Sequence, residues 1–115
     1  MNVVSLIGNL ATDVEVRDVG EEHKVATFLL AVDRASSAGG ADFIRVNTWD
    51  KQAETCGRFL AKGKRVGIDG RLRSRSWDEA DGKRRTAVEV VANRVEFLSA
   101  PEGARKEAPF EAATA

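Results

Sequence analysis

The chain has 115 residues, 43% of them hydrophobic, and its 18 Lys+Arg balance 18 Asp+Glu, which suits one domain with a short tail. One cysteine excludes an internal disulfide, and one histidine beside it leaves a protein zinc site without ligands. No apolar run approaches the ~18 residues of a membrane span, and the start lacks the basic leader and cleavage site of a secretory signal, so a cytoplasmic chain with no metal, no cofactor and no membrane contact is expected.

Val3 to Gly8 reads as a first strand that breaks near Gly8-Asn9 and resumes from Val14 to Arg17. Glu21, Glu22 and His23 make a polar turn, with His23 solvated. Lys24 to Val32, rich in β-branched and apolar residues, is the second strand. Ser36, Ser37, Gly39 and Gly40 mark a loop, and Phe43 to Trp49 is the third strand. From Gln52 to Lys62 the period changes: Ala53, Cys56 and Leu60 fall at i, i+3 and i+7, one face of a helix, with Gly63 as its stop. Arg65 to Trp77 and Arg84 to Phe97 are the fourth and fifth strands, joined by a turn at Asp81-Gly82. Five strands with one short helix between the third and fourth is the order of the all-β OB-fold, a five-stranded Greek-key barrel. This domain is expected over residues 1–99. Residues 100–115, rich in Pro, Gly, Ala and charge, are expected to form a disordered tail because they cannot bury enough apolar surface to offset their ordering entropy.

The zero net charge hides an asymmetry. Between Phe43 and Arg85 lie twelve Lys/Arg and six Asp/Glu, so this span is positive and the remainder equally negative. A polyanion responds to the local patch rather than to the sum.

Strand parity sharpens that reading. In the third strand Ile44, Val46 and Thr48 point one way and take the core. Phe43, Arg45, Asn47 and Trp49 are left on the outer face. In the fourth strand Val66, Ile68 and Leu72 point inward, and Arg71, Arg73, Arg75 and Trp77 outward. Rings stack on unpaired bases for about 1–3 kcal/mol each whatever the base, and arginines neutralise phosphates. Duplex DNA hides its base faces, so rings and cations together select single strands. An enzyme is not expected: His23 has no placed nucleophile, Gly39-Gly40 lacks the ending of a phosphate loop, and the acids are scattered.

Several spaced segments resemble one family. Asn2 to Leu10 with Asp13 to Arg17, Phe43 to Trp49, Leu60 to Val66, and above all Gly70-Arg71-Leu72-Arg73-Ser74-Arg75-Ser76-Trp77 are similar, in order, to bacterial single-stranded-DNA-binding proteins over residues 2 to 99. The resemblance implies Phe43, Trp49 and Trp77 as base-stacking residues, and Arg17, Arg45, Lys51, Lys62, Arg73 and Arg75 as backbone contacts. It also implies a nucleoid-associated homotetramer acting in DNA replication, recombination or repair. Two departures matter. Ala35 and Ser36 stand where many members carry a further stacking aromatic, which implies reduced affinity or site size. Pro109-Phe110 is internal rather than an acidic Pro-Phe tip, so recruitment of replication proteins through it is not expected, and a short-tailed paralogue serving recombination or DNA uptake fits. Two other readings use the same fold: a primosome-like adaptor working through protein contacts, in which Phe43 and Trp49 would be buried, and an RNA-binding OB-fold, which differs in how the 2′-hydroxyl is read.

Overall fold

The computed structural model describes residues 1–35 and 39–98. Six strands and one helix follow in order: β1 (Val4–Leu10), β2 (Glu15–Val19), β3 (His23–Asp33), β4 (Ala41–Trp49), α1 (Asp50–Phe59), β5 (Arg65–Asp78) and β6 (Arg84–Phe97). The sixth strand arises because the first expected strand divides into β1 and β2. Taken as one broken strand, they leave the expected five, with the helix between the third and fourth. The expected tail from residue 100 and the internal Pro109-Phe110 lie outside the described residues.

Alternation builds the barrel. Ala26, Phe28 and Leu30 of β3 face inward and pair directly with Thr48, Val46 and Ile44 of β4. All but Ile44, which is half-buried, are almost fully buried. Strand β1 pairs antiparallel with β5 from Val4↔Gly70 to Asn9↔Arg65, β5 with β6, β6 parallel with β4 at Val90↔Val46, and β4 with β3. Leu10↔Leu30 and Asn9↔Ala31 then join β1 to β3, so β1-β5-β6-β4-β3 closes into a ring and β2 hangs from β3. Closure leaves these five strands paired on both sides at the core and encloses Leu10, Phe28, Leu30, Val46, Val66, Ile68 and Val90. This is the OB-fold expected from the element order.

Helix α1 plugs one side of the barrel with Ala53 and Cys56, as its apolar spacing predicts. Its ends differ from the sequence reading of Gln52 to Lys62. Asp50 opens it with φ 57, a left-handed geometry that Asp tolerates better than bulky residues. The Asp50 carboxylate accepts the Lys24 amide at 3.2 Å, tying the corner to β3. At the other end Leu60 leaves the helix at φ −106 while its N–H still donates to the Cys56 carbonyl at 2.9 Å. Gly63, φ 95, serves the following turn, where Lys64 donates to Ala61. Gln52 pins the helix to β6, its Oε1 accepting the Val95 amide at 2.9 Å.

Strands β5 and β6 run past the ring as a two-stranded arm. A register shift at Asp69/Gly70 opposes Arg94 and then Ala92, so Asn93 is the extra residue of a bulge. Gly70 is obligatory there: a Cβ on it would lie 2.2 Å from the Val91 carbonyl oxygen. Past Glu89 every residue of the arm but the half-buried Ala87 is exposed, and this corrects one expectation. Leu72 keeps the parity of Val66 and Ile68 and pairs with the buried Val90, but is 48% exposed, because the core ends at that pair.

Candidate nucleic-acid interface

Directly paired residues share a side of a sheet, so the registers can be read as rows. One row runs Thr27, Asn47, Val91, Arg71 across β3, β4, β6 and β5. The next is Leu29, Arg45, Glu89, Arg73, in which Arg45 and Glu89 meet at 3.4 Å. Phe43 lies two residues beyond Arg45 on the same side, beside Ala31, while Trp49 ends β4 beside Val25, itself paired with Arg17 of β2. Arg75 and Trp77 extend the side out along the arm, opposite Ala87 and Arg85. Eight of the ten expected residues (Arg17, Phe43, Arg45, Trp49, Arg71, Arg73, Arg75 and Trp77) therefore belong to one continuous side of the sheet. Lys51 and Lys62 stand off it, at opposite ends of α1: Lys51 is in the first turn, and Lys62 follows the last, where its amide donates to the Asp13 carboxylate at 2.9 Å.

The rings differ in setting. Phe43 is 65% exposed, too open for a core residue. Trp77 is 38% exposed; its indole N–H donates to Glu79 Oε1 at 3.2 Å, and the Arg75 guanidinium sits 4.8 Å from the ring centroid, covering one ring face. Trp49 is half-buried at the strand-to-helix corner, with His23 edge-on to it at 6.5 Å. His23 is thus more than a solvated turn residue. It opens β3 and meets the Asp50 carboxylate at 3.1 Å. The hydrogen bond from His23 and that from the Lys24 amide hold the Asp50 carboxyl below the usual aspartate range.

Asn47 and Glu89 are the residues that parity alone misplaces or overlooks. Asn47 shares the side of Phe43 and Arg45 yet is 5% exposed, because Thr27 donates to its Oδ1 at 2.7 Å and Glu89 lies against it. Glu89, 2% exposed, accepts from Arg73 Nη2 at 2.8 Å and faces Arg45 Nε at 3.4 Å and Arg75 Nε at 4.0 Å. Burial by itself would raise its carboxyl. Hydrogen bonds from Arg73 and Asn47, with the charges of Arg73 and Arg75, more than offset that and hold it below the usual glutamate range. Arg71 meets Asn93 of the bulge at 3.2 Å. An acid set inside the run Val88-Glu89-Val90-Val91 is the one available signal for Glu89; the register that puts it beneath three arginines is not written locally.

The arrangement can hold a flexible polyanion with flat, unpaired groups. Rings stand at both ends of the side and arginines between them. An open depression lined by Asp18, Glu21, Glu22, Asp50 and Glu54, with Lys24 and Lys51 beside them, is acidic on balance, so the ligand would meet it only at its Lys51 margin. Among the described residues no cluster of His, Cys, Asp or Glu fits a metal ion, and no helix is long and apolar enough to cross a membrane.

Comparison with known proteins places the chain in a family. Residues 1–98 match the model of the single-strand binding protein family. A single-stranded DNA-binding protein of Clostridium tetani is 49% identical over 102 residues, which cover 85% of this chain and 70% of that protein. Single-stranded DNA-binding protein 3 of Clostridium acetobutylicum is 46% identical over 102 residues, 85% of this chain and 71% of that protein. A single-stranded DNA-binding protein of Bacillus cereus is 43% identical over 107 residues, 90% of this chain and 63% of that protein. With a match that spans the whole barrel and its arm, the chain belongs to the single-strand binding protein family.

Proposed function

We propose that this protein binds and protects single-stranded DNA without sequence specificity, stacking bases on Phe43, Trp49 and Trp77 and neutralising phosphates with Arg45, Arg71, Arg73 and Arg75, helped at the margins by Arg17, Lys51 and Lys62. The observation that carries the reading is the single side of the sheet on which exposed rings flank a row of arginines. A closed barrel gains nothing from an exposed Phe43, and a strand with unpaired bases gains a stacking platform. The protein acts as a binder rather than an enzyme, in the cytoplasm on nucleoid DNA during replication, recombination or repair. A homotetramer is the proposed working form: Ile7, Phe59, Phe97 and Leu98 are exposed apolar residues away from the arginine row, and contacts between copies would cover them.

Trp49 and Trp77 are the two tryptophans of the chain, so their fluorescence tests the reading. Titration with oligo-dT should quench them strongly at low salt and less at high salt, and matched duplex should not. Equal response to duplex would refute single-strand selectivity. No response from a folded protein would favour the adaptor reading, and stronger quenching by matched RNA the RNA-binding one. Light scattering checks the tetramer, which a monomer mass would overturn.

A further inference from the structure

We propose that Glu89 is the positioning residue of this interface: its carboxylate, sunk beneath Arg45, Arg73 and Arg75, holds the three guanidinium groups in one row and leaves their outer N–H donors for phosphodiester oxygens. The inference rests on the single-stranded DNA reading above. On charge alone an acid at the centre of a polyanion-binding side is a fault, since it cancels one cation and repels phosphate. Its placement answers the objection. Glu89 is 2% exposed, whereas the three arginine side chains above it are 42–49% exposed. The carboxylate therefore lies below the cations and not in the path of a ligand.

The geometry is that of a hub. Arg73 is the direct cross-strand partner of Glu89, Arg75 is two residues along the same strand, and Arg45 reaches in from the other neighbouring strand. Glu89 accepts a hydrogen bond from Nη2 of Arg73 and stands within ion-pair distance of Nε of Arg45 and of Arg75, while a guanidinium carries five N–H donors. One carboxylate under three guanidiniums leaves the group net positive. It also relieves the mutual repulsion that would splay three adjacent arginines. Asn47, held in turn by Thr27, hydrogen-bonds to the same carboxylate and fixes it to the barrel. An arginine already held loses less rotamer freedom when it docks on phosphate, which is the advantage of preorganisation.

The test exploits the sign of the effect. Glu89→Gln keeps the shape, keeps an oxygen for Asn47 and raises the charge of the site by one. A simple counter-charge would then give tighter binding of oligo-dT and an equal or steeper salt dependence. A positioning residue gives the reverse: in the full chain, binding about tenfold weaker, with a salt slope shallower by about 0.7 for each phosphate no longer neutralised. Binding as tight as wild type or tighter overturns the proposal. Wild type titrated beside it separates the two claims, since a wild type that ignores oligo-dT overturns the function itself. If the variant does not fold, NMR of the wild-type arginine side chains decides. Nε–H signals of Arg45 and Arg75 resolved without DNA and retained with oligo-dT bound support the hub. Averaged, freely rotating signals overturn it.

Discussion

Phe43→Ala separates a stacking platform from a piece of core. Phe43 pairs with Ala31 across β3 and β4 and is 65% exposed, so about a third of its surface is covered. Full burial of such a side chain contributes about 1.5–3 kcal/mol, so truncation should cost about 0.5–1 kcal/mol of stability, including the modest cross-strand contact. Phe28, on the inward side of β3 and 2% exposed, sets the contrast: its truncation should cost about 3–5 kcal/mol, because a cavity is left behind. Binding should behave in the opposite way. Loss of one stacked base costs about 1–3 kcal/mol, or roughly 5- to 150-fold in affinity for oligo-dT. Urea denaturation gives the first quantity and tryptophan fluorescence titration the second, both on the full chain. A folded Phe43→Ala protein that binds oligo-dT within about twofold of wild type would refute the platform. A stability loss of the Phe28 size would instead place Phe43 in a buried contact between copies, as the adaptor reading requires.

Gly70→Ala should destabilise the protein by about 1–3 kcal/mol, since its Cβ would meet the Val91 carbonyl oxygen at 2.2 Å in the strand backbone; a neutral result in urea denaturation would mean the bulge can relax. Burial pushes the Cys56 thiol up to about 11, so at about pH 8 a thiol reagent should label the native protein far more slowly than the denatured one, and rapid native labelling would contradict the packing of α1. The lowered carboxyls of Asp50 and Glu89 contribute stability that is present above the ordinary carboxylate range and lost as pH falls from about 4 through their lowered values. The stability gap between wild type and Asp50→Asn should accordingly shrink on acidification, and a constant gap would show that the carboxylate charge is not what matters.

How far a sequence discloses such a site depends on whether the determinant is local. Strand parity is local: the alternation of Ile44, Val46 and Thr48 with Phe43 and Arg45 is enough to place two outward-facing side chains, and the same rule on β5 aligns Arg71, Arg73, Arg75 and Trp77. The spacing of Ala53 and Cys56 likewise places the helix. Parity fails where the neighbouring layer ends or appears unexpectedly. Leu72 has the inward parity but stands where the core ends, and Asn47 has the outward parity but is covered by Thr27 and Glu89. Helix ends escape local patterns for a similar reason. The Asp50 corner is held by His23 and Lys24, 27 and 26 residues away along the chain, and Gly63 carries no mark of serving the next turn.

Glu89 is the extreme case. Its meaning lies in two registers, the antiparallel pairing that sets it opposite Arg73 and the parallel one that brings Arg45 beside it. The parallel pairing joins strands separated by the helix and the whole β5 arm, and no local pattern in β4 or β6 specifies it. Barrel closure supplies it, because once β1 bridges β5 and β3, β6 has β4 as its remaining neighbour. The chain therefore writes the outward-facing rings and cations plainly along its strands. It leaves to closure of the ring the buried acid that would order them.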